Sequence, residues 1–388
     1  MSLKAGIVGL PNVGKSTLFN AITNSHVLAE NYPFATINPN TGVVVVPDER
    51  LDYLTSYFSP KKKINATFEF YDIAGLVKGA SKGEGLGNQF LAAIRECDAI
   101  VEVVRCFDNA SVLRYNDDPV DPKNDIEVIN LELSMSDLDS VNNRIGKQEV
   151  KARIAKDKEA LYEMPILLAL KKVLEEGKSA RMVEGLSEEQ LAYAKKNFFL
   201  LSLKPILYVA NVGADDYENL DNCSYYQIVK KIAESENAPC LPLSCEIEYE
   251  ISQLPSLEDK KEFLMSMGQE ESGLDRLVKA AYKLLNLSTF LTCGEDECRA
   301  WTFKNGMLAP ACAGVIHSDF EKGFIRAEVY SFSDFYEASK KFPLSPSTGA
   351  LGAKVEVAVK EAGKVRSEGK DYLMKDGDIV FFKFNVSK

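Results

Sequence analysis

Histidine is almost missing from this chain: among 388 residues there are only His26 and His317. That nearly excludes a histidine general base, so any proton chemistry must use other groups. No apolar run is long enough to span a bilayer, and the opening Met-Ser-Leu-Lys leads straight into a short strand rather than a basic and then apolar leader. Neither membrane insertion nor secretion is expected, and the cytoplasm is the expected compartment. The eight cysteines (Cys97, Cys106, Cys223, Cys240, Cys245, Cys293, Cys298 and Cys312) contain no CxxC pair, which points to reduced, mostly structural thiols. Internal repeats, low-complexity segments and a disordered tail are also missing. Positive charge is in deficit, with a net charge of -11, so contact with nucleic acid would need a local patch rather than the global field. What remains is an ordinary globular composition, 46% hydrophobic and 27% charged, at a length that suggests two or three domains.

The most informative segment is Gly9-Leu-Pro-Asn-Val-Gly-Lys-Ser-Thr17. It follows the apolar strand Lys4-Ala-Gly-Ile-Val8 and opens a helix whose Leu18, Phe19 and Ile22 share a face. Strand, glycine-rich turn and helix together form a phosphate-binding loop: backbone N–H groups and the positive helix end cradle phosphate oxygens, here from Asn12 through Thr17. Lys15 is expected to reach the β- and γ-phosphates, and Ser16 to give its hydroxyl to Mg2+. A second element, Asp72-Ile-Ala-Gly75, ends another strand, where the carboxylate can hold Mg2+ through water and the Gly75 N–H can sense the γ-phosphate. Between them Pro33-Phe-Ala-Thr36 sits where a first switch loop belongs, with Thr36 joining the metal shell when a triphosphate is bound. The alternative for Thr36 is a plain turn residue.

The glycine-rich run Lys78-Gly-Ala-Ser-Lys-Gly-Glu-Gly-Leu-Gly87 has the look of a dinucleotide fingerprint but does not open a βαβ unit; it reads instead as a second switch. Leu76 follows Gly75, where many related GTPases place a water-orienting glutamine, so hydrolysis should be slow or use another group. Asn12 either helps to bind a monovalent cation or serves as a turn amide. For the base, Ala210-Asn-Val-Gly-Ala-Asp-Asp216 departs from the Asn-Lys-x-Asp of a guanine pocket: Asn211 is present, Val212 replaces the lysine, and Ala214 takes the carboxylate position with Asp215 one residue late. Ser244-Cys-Glu246 is placed to close the base pocket with the backbone amides of Ser244, Cys245 and Glu246.

Strands are expected at 66–71, 99–105, 205–210 and 239–243, alternating with helices, which indicates a doubly wound, mainly parallel sheet of α/β class. From 124 to 200 apolar residues recur at helical spacing (Ile126, Ile129, Leu133, Leu138, Val141, Ile145), as in an inserted helical hairpin or coiled coil broken at Met164-Pro165. Between Arg144 and Arg181 ten basic residues face six acidic ones, which is either a solvated helix surface or an RNA or partner patch. Beyond about 287, strands at 301–304, 323–330 and 379–384 surround a helix at 333–341, as in a β-grasp docking module.

The phosphate loop, the segment from Asp72 to Asn88, the aberrant Asn211 motif and the C-terminal module together resemble the YchF subfamily of Obg-like P-loop proteins, over essentially the whole chain. The resemblance implies a nucleotide-binding domain at 1–123 and 201–286, a coiled-coil insertion at 124–200 and a TGS-like β-grasp domain at 287–388. It also implies an ATP-preferring, Mg2+-dependent hydrolase associated with the ribosome, with K+ activation through the loop asparagine and a monomeric state. Some bacterial members carry a hydrolytic histidine where this chain has Arg114, which cannot act as a base at neutral pH. His317 lies in a family segment and is expected to be structural or to dock. A GTPase, and a nucleotide-gated regulator with incidental turnover, are the competing readings. A small-molecule kinase would need an arginine-bearing lid that is not evident.

Overall fold

The structure, a computed structural model, describes residues 3–25, 40–73, 85–109, 119–155, 157–345 and 350–385. Thr36, Gly75, Leu76 and Arg114 lie outside the described residues, and the glycine-rich run enters the description only at Gly85. In chain order the elements begin with β1 (Lys4–Val8), α1 (Lys15–Ser25), β2 (Thr41–Val45), α2 (Glu49–Phe58), β3 (Lys62–Ile64), β4 (Thr67–Asp72), α3 (Gly85–Arg95) and β5 (Ala99–Cys106). The helices α4 (Pro122–Val150), α5 (Lys158–Glu175) and α6 (Glu188–Asn197) follow. Next come β6 (Ile206–Val212), α7 (Ala214–Tyr217), α8 (Ser224–Ser235), β7 (Cys240–Leu243), α9 (Cys245–Gln253), α10 (Leu257–Ser266) and α11 (Gly273–Leu284). The last part holds β8 (Leu287–Cys293), β9 (Glu297–Lys304), α12 (Ala309–Ile316), α13 (Ser318–Lys322), β10 (Phe324–Ser331), α14 (Phe332–Ser339), α15 (Gly352–Glu361), β11 (Arg366–Glu368) and β12 (Asp378–Phe384).

The described residues fall into two compact units, one built on 69–284 with the stretches before Val45, the other on 45–68 with 285–388. The first contains a sheet in the order β2-β4-β1-β5-β6-β7, in which β1 runs parallel to β4 and β5, β5 to β6, and β6 to β7. Every residue of β5 and β6 is buried, as the centre of a parallel sheet requires, including the polar Glu102, Arg105 and Asn211. Because the chain passes to opposite sides of β1, the carboxyl ends of β1 and β5 border a topological switch point, where loops splay apart and leave a crevice. This is the expected doubly wound α/β class.

Helix α4 starts with Pro122 at its first turn and Asp121 capping the N–H groups of Lys123 and Asn124. Ile126, Ile129 and Leu133 join the sheet core, whereas Val141 packs with Ile166, Leu167 and Leu170 of α5 in a separate cluster. The break expected at Met164-Pro165 is not there: α5 runs through Pro165. Proline in a helix interior costs roughly 3 kcal/mol, and burial of Ile166, Leu167, Leu170 and Leu174 on one side offsets it. The irregularity lies earlier, in a π-type turn at Lys151–Ala155.

Buried carboxylates hold the insertion together. Asp137 accepts the N–H groups of Leu201 and Ser202 at 2.8 and 2.7 Å and the Ser202 hydroxyl at 2.6 Å. Glu163, fully buried, accepts from Arg144 Nε and Nη2 (2.9 and 2.5 Å), Gln148 (2.6 Å) and Tyr193 (2.8 Å). Arg181 pairs with Glu236 at 3.1 Å. Two of the ten basic residues counted from sequence are thus committed internally, while Lys147, Lys151, Arg153, Lys158 and Lys172 stay exposed.

In the second unit the sheet order is β11-β10-β12-β8-β9-β3. The central β12 and β8 are parallel, and antiparallel partners flank both. Phe290, Phe303, Phe324, Val380 and Phe382 make its core with Cys312 and Ala313 of α12, which is the β-grasp arrangement. Residues 45–68, read from sequence as part of the segment 1–123, belong here. The apolar face of α2 finds its aromatic partners in this unit: Tyr53 meets Phe332 and Tyr336, and Tyr57 and Phe58 both meet Phe335. His317 caps α13 by accepting the Asp319 N–H, a structural role. All eight cysteines are free thiols.

Burial pushes the Glu163 carboxyl up, but the hydrogen bonds from Arg144, Tyr193 and Gln148 more than reverse this and hold it below its ordinary 4.5. A carboxylate whose folded value is lowered contributes stability above the unfolded value, and that contribution is lost as pH falls through the folded value. Glu163→Gln should therefore lower stability to urea at neutral pH by about 3 kcal/mol, since it leaves Arg144 without its counter-charge. The gap between variant and wild type should close below pH 4.5; a gap independent of pH would assign the loss to shape rather than charge.

Candidate functional site

The loop after β1 can take its shape because two residues adopt left-handed backbone: Asn12 (φ 63) and Gly14 (φ 100). At Gly14 a side chain would also collide with the Asn211 amide and crowd the Cys245 sulfur. At Gly9 a Cβ would stand 2.8 Å from the Val103 carbonyl, so the loop lies directly on β5. Val13 is buried and anchors the loop from inside. Helix α1 then starts at Lys15, with the Leu18 N–H bonded to the Gly14 carbonyl at 2.9 Å, and Ser16 and Thr17 in its first turn. Its free N–H groups and dipole give this end a positive potential.

Lys15 Nζ lies 2.5 Å from Asp72 Oδ1, at the end of β4. The two residues read separately as phosphate and metal ligands are thus brought together. Asn211, at the end of β6 and buried, donates from Nδ2 to the Val13 carbonyl (2.8 Å) and accepts the Cys245 N–H on Oδ1 (2.9 Å). It ties the phosphate loop to the start of α9, so its amide does more than wait for a base. The Cys245 amide, expected to face the base, is used in this link. Ser244 caps α9 through its side chain, accepting the Ile247 N–H. Burial pushes the Cys245 thiol well up, so it stays neutral. Val212 is a core side chain, whereas Glu246 is exposed.

These residues line one cleft of about 920 Å³, bounded by Leu10 to Asn12, Gly14 to Thr17, Asn211, Val212 and Ser244 to Glu246. The segment from Gly213 to Asp216 after β6, read from sequence within the base motif, also lines it, and Phe107, Asp108 and Asn109 after β5, which sequence reasoning did not assign to the site, complete it. Position could have found them, since they follow the carboxyl end of a buried strand. The 107–109 loop is held by buried Arg105, which donates to the carbonyls of Phe107 (3.2 Å) and Asn109 (3.4 Å) and lies 4.6 Å over the Phe107 ring.

Among the described residues no group of three or more His, Cys, Asp or Glu side chains could hold a metal. A hydroxyl at Ser16 and one carboxylate at Asp72, which meets the neighbouring Lys15, suit Mg2+, which keeps several waters and shares its shell with substrate phosphates. Among the described residues no helix is long and apolar enough to cross a membrane.

Residues 4–172 match a family described as 50S ribosome-binding GTPase, and 287–385 match the YchF GTPase C-terminal family, described as a protein of unknown function (DUF933). Among curated proteins, the Bacillus subtilis "Ribosome-binding ATPase YchF" is 51% identical over 386 residues, covering 100% of both chains. The protein of the same name from Escherichia coli O157:H7 is 48% identical over 386 residues, again with 100% of both chains covered. The solved structure of the Schizosaccharomyces pombe YchF GTPase superposes with a TM-score of 0.84 at 36% identity over 98% of each chain. A Pyrococcus horikoshii GTP binding protein shares the fold, with a TM-score of 0.59 at 18% identity, over 99% of this chain and 100% of its own. With its C-terminal residues matching the YchF family model and its whole length covered by relatives at about half identity, the chain belongs to the YchF family.

Proposed function

We propose that the chain is a Mg2+-dependent nucleoside triphosphatase that prefers ATP and uses the bound nucleotide as a switch for binding the ribosome. The observation that carries the reading is the meeting of Asp72 with Lys15, a residue of the phosphate loop that lines the cleft. The names of the bacterial relatives support both the ATPase activity and the ribosome. In this reading the N–H groups from Val13 to Thr17 bind phosphate oxygens, and the Lys15 ammonium neutralises charge that grows as the γ-phosphoryl leaves. Ser16, Asp72 and Thr36 would hold Mg2+, which when bound supplies positive charge against the β- and γ-oxygens. The Gly75 N–H senses the γ-phosphate, and K+ beside Asn12 adds further charge. The chain works as a monomer in the cytoplasm. Residues 1–123 without 45–68, together with 201–286, form the nucleotide-binding domain, and the insertion at 124–200 with the TGS-like domain at 287–388 grips the ribosome through exposed lysines such as Lys147 and Lys151.

Preference for ATP rests on Val212 and Ala214, which supply no polar side chain where guanine-selective pockets carry lysine and carboxylate. Asp215 and Asp216 do line the cleft, however, and a carboxylate is the acceptor that guanine's N–H groups require. That keeps GTP as a second reading. Titrating both nucleotides, in potassium and in sodium, separates the two. ATP should bind more tightly, whereas tighter GTP binding by tenfold, about 1.4 kcal/mol, would reverse the assignment.

Lys15→Ala should lower turnover of ATP and GTP by about 10²- to 10³-fold, measured as released phosphate; unchanged turnover would remove the enzymatic reading. Asn211→Ala should leave the Val13 carbonyl and the Cys245 N–H unpaired. Calorimetry should then show stability lower by about 1–3 kcal/mol and weaker binding of both nucleotides alike. Selective loss of one nucleotide would make Asn211 a base reader instead.

A further inference from the structure

Cys293 at the end of β8 and Cys298 near the start of β9 lie outside the nucleotide cleft and have no part in its chemistry. They face each other in register across the β8–β9 hairpin. The Gly294 N–H bonds to the Glu297 carbonyl at 3.0 Å, and at the other end of the ladder the Asn305 N–H bonds to Asn286 at 2.9 Å. Hydrogen-bonded pairs alternate with open ones in an antiparallel ladder, so Cys293 and Cys298 occupy an open pair, where side chains approach most closely. Cα atoms in such a pair stand roughly 4.5 Å apart, inside the window of about 4.4–6.8 Å that a disulfide spans. Cys298 is buried, Cys293 is partly exposed near the turn, and Tyr330 and Glu356, themselves joined at 2.6 Å, lie against the pair.

We propose that Cys293 and Cys298 form a thiol–disulfide modification site that takes low-mass disulfides and closes into a cross-strand bond. The partly exposed Cys293 thiolate attacks one sulfur of the reagent, forming a mixed disulfide and releasing one low-mass thiol. The Cys298 thiolate then attacks the Cys293 sulfur, forming the internal disulfide and releasing the second thiol. Two protein thiols are oxidised, one reagent disulfide is reduced, and the two protein protons end on the released thiols. The hydrogen bond between the two thiols, with burial, pushes the Cys293 thiol well up, so its first attack needs alkaline pH, while the same bond holds Cys298 below its ordinary value and ready for the resolving step.

The full chain treated with oxidised glutathione, then alkylated and mapped by mass spectrometry, should show one linked peptide pair, Cys293 to Cys298, and two fewer alkylated thiols than the eight of untreated protein. Dithiothreitol should restore all eight. Cys298→Ser should stop at a mixed glutathione disulfide on Cys293. Retention of all eight reactive thiols in the wild type, or a link formed elsewhere, as among Cys106, Cys223 and Cys240, would overturn the proposal.

Discussion

A single buried amide joins the three segments from which the cleft is made. Asn211 sits at the end of β6, takes the Val13 carbonyl with its Nδ2 and offers its Oδ1 to the Cys245 N–H. Each of those main-chain groups is buried and would cost about 1–3 kcal/mol if left unpaired, so the phosphate loop, β6 and the start of α9 are held in one arrangement. The same amide explains Gly14 from both sides: its backbone is left-handed, and any side chain there would strike Asn211. A loop that must turn within contact of a buried amide leaves glycine as the fitting residue, and the N–H groups then point into the crevice that the sheet opens.

What was legible in the sequence was local. The phosphate loop declares itself because its spacing, preceding strand and following helix are contiguous, and Asp72 because it ends a strand with an Asp-x-x-Gly pattern. Asn211 was legible as a site residue but not as a strut, because its partners come from residues 198 positions earlier and 34 later. Phe107 to Asn109 carry no local pattern at all; only their place after buried β5 puts them at the cleft. The assignment of α2 failed for a related reason. An amphipathic helix shows which face is buried but not against what, and Tyr53, Tyr57 and Phe58 find their ring partners in α14, nearly 300 positions on.

Charge counting along the insertion had the same weakness. A run of basic residues reads as a patch until partners are known, and Arg144 and Arg181 prove to be counter-charges for Glu163 and Glu236. Arg144 also lies 4.5 Å over the Phe198 ring. Guanidinium suits such sites because its planar fork satisfies two acceptors while its face stacks on an aromatic ring. The lysines, with longer hydrated heads, are left on the surface. Arg144 and Arg181 are thus the clamps of the run, while Arg153 stays at the surface with the lysines.

The central strands connect this clamp to the cleft. The C-terminal ends of β5 and β6 supply Phe107 and Asn211 to the nucleotide side. Three residues earlier on β6, about 10 Å away along the strand, Tyr208 donates to Glu236 at 2.9 Å. Glu236 in turn holds Arg181, and Arg181 reaches Asn130 of α4 at 2.8 Å. Across the ladder from Tyr208 stands Glu102, fully buried, its carboxyl pushed well up by burial. From the Asn211 amide the connection runs along β6 to Tyr208, through Glu236 at the end of α8 and Arg181 in a short turn, to the root of α4. The side chains that shape the phosphate loop and those that anchor the insertion therefore stand on one buried strand, three residues apart.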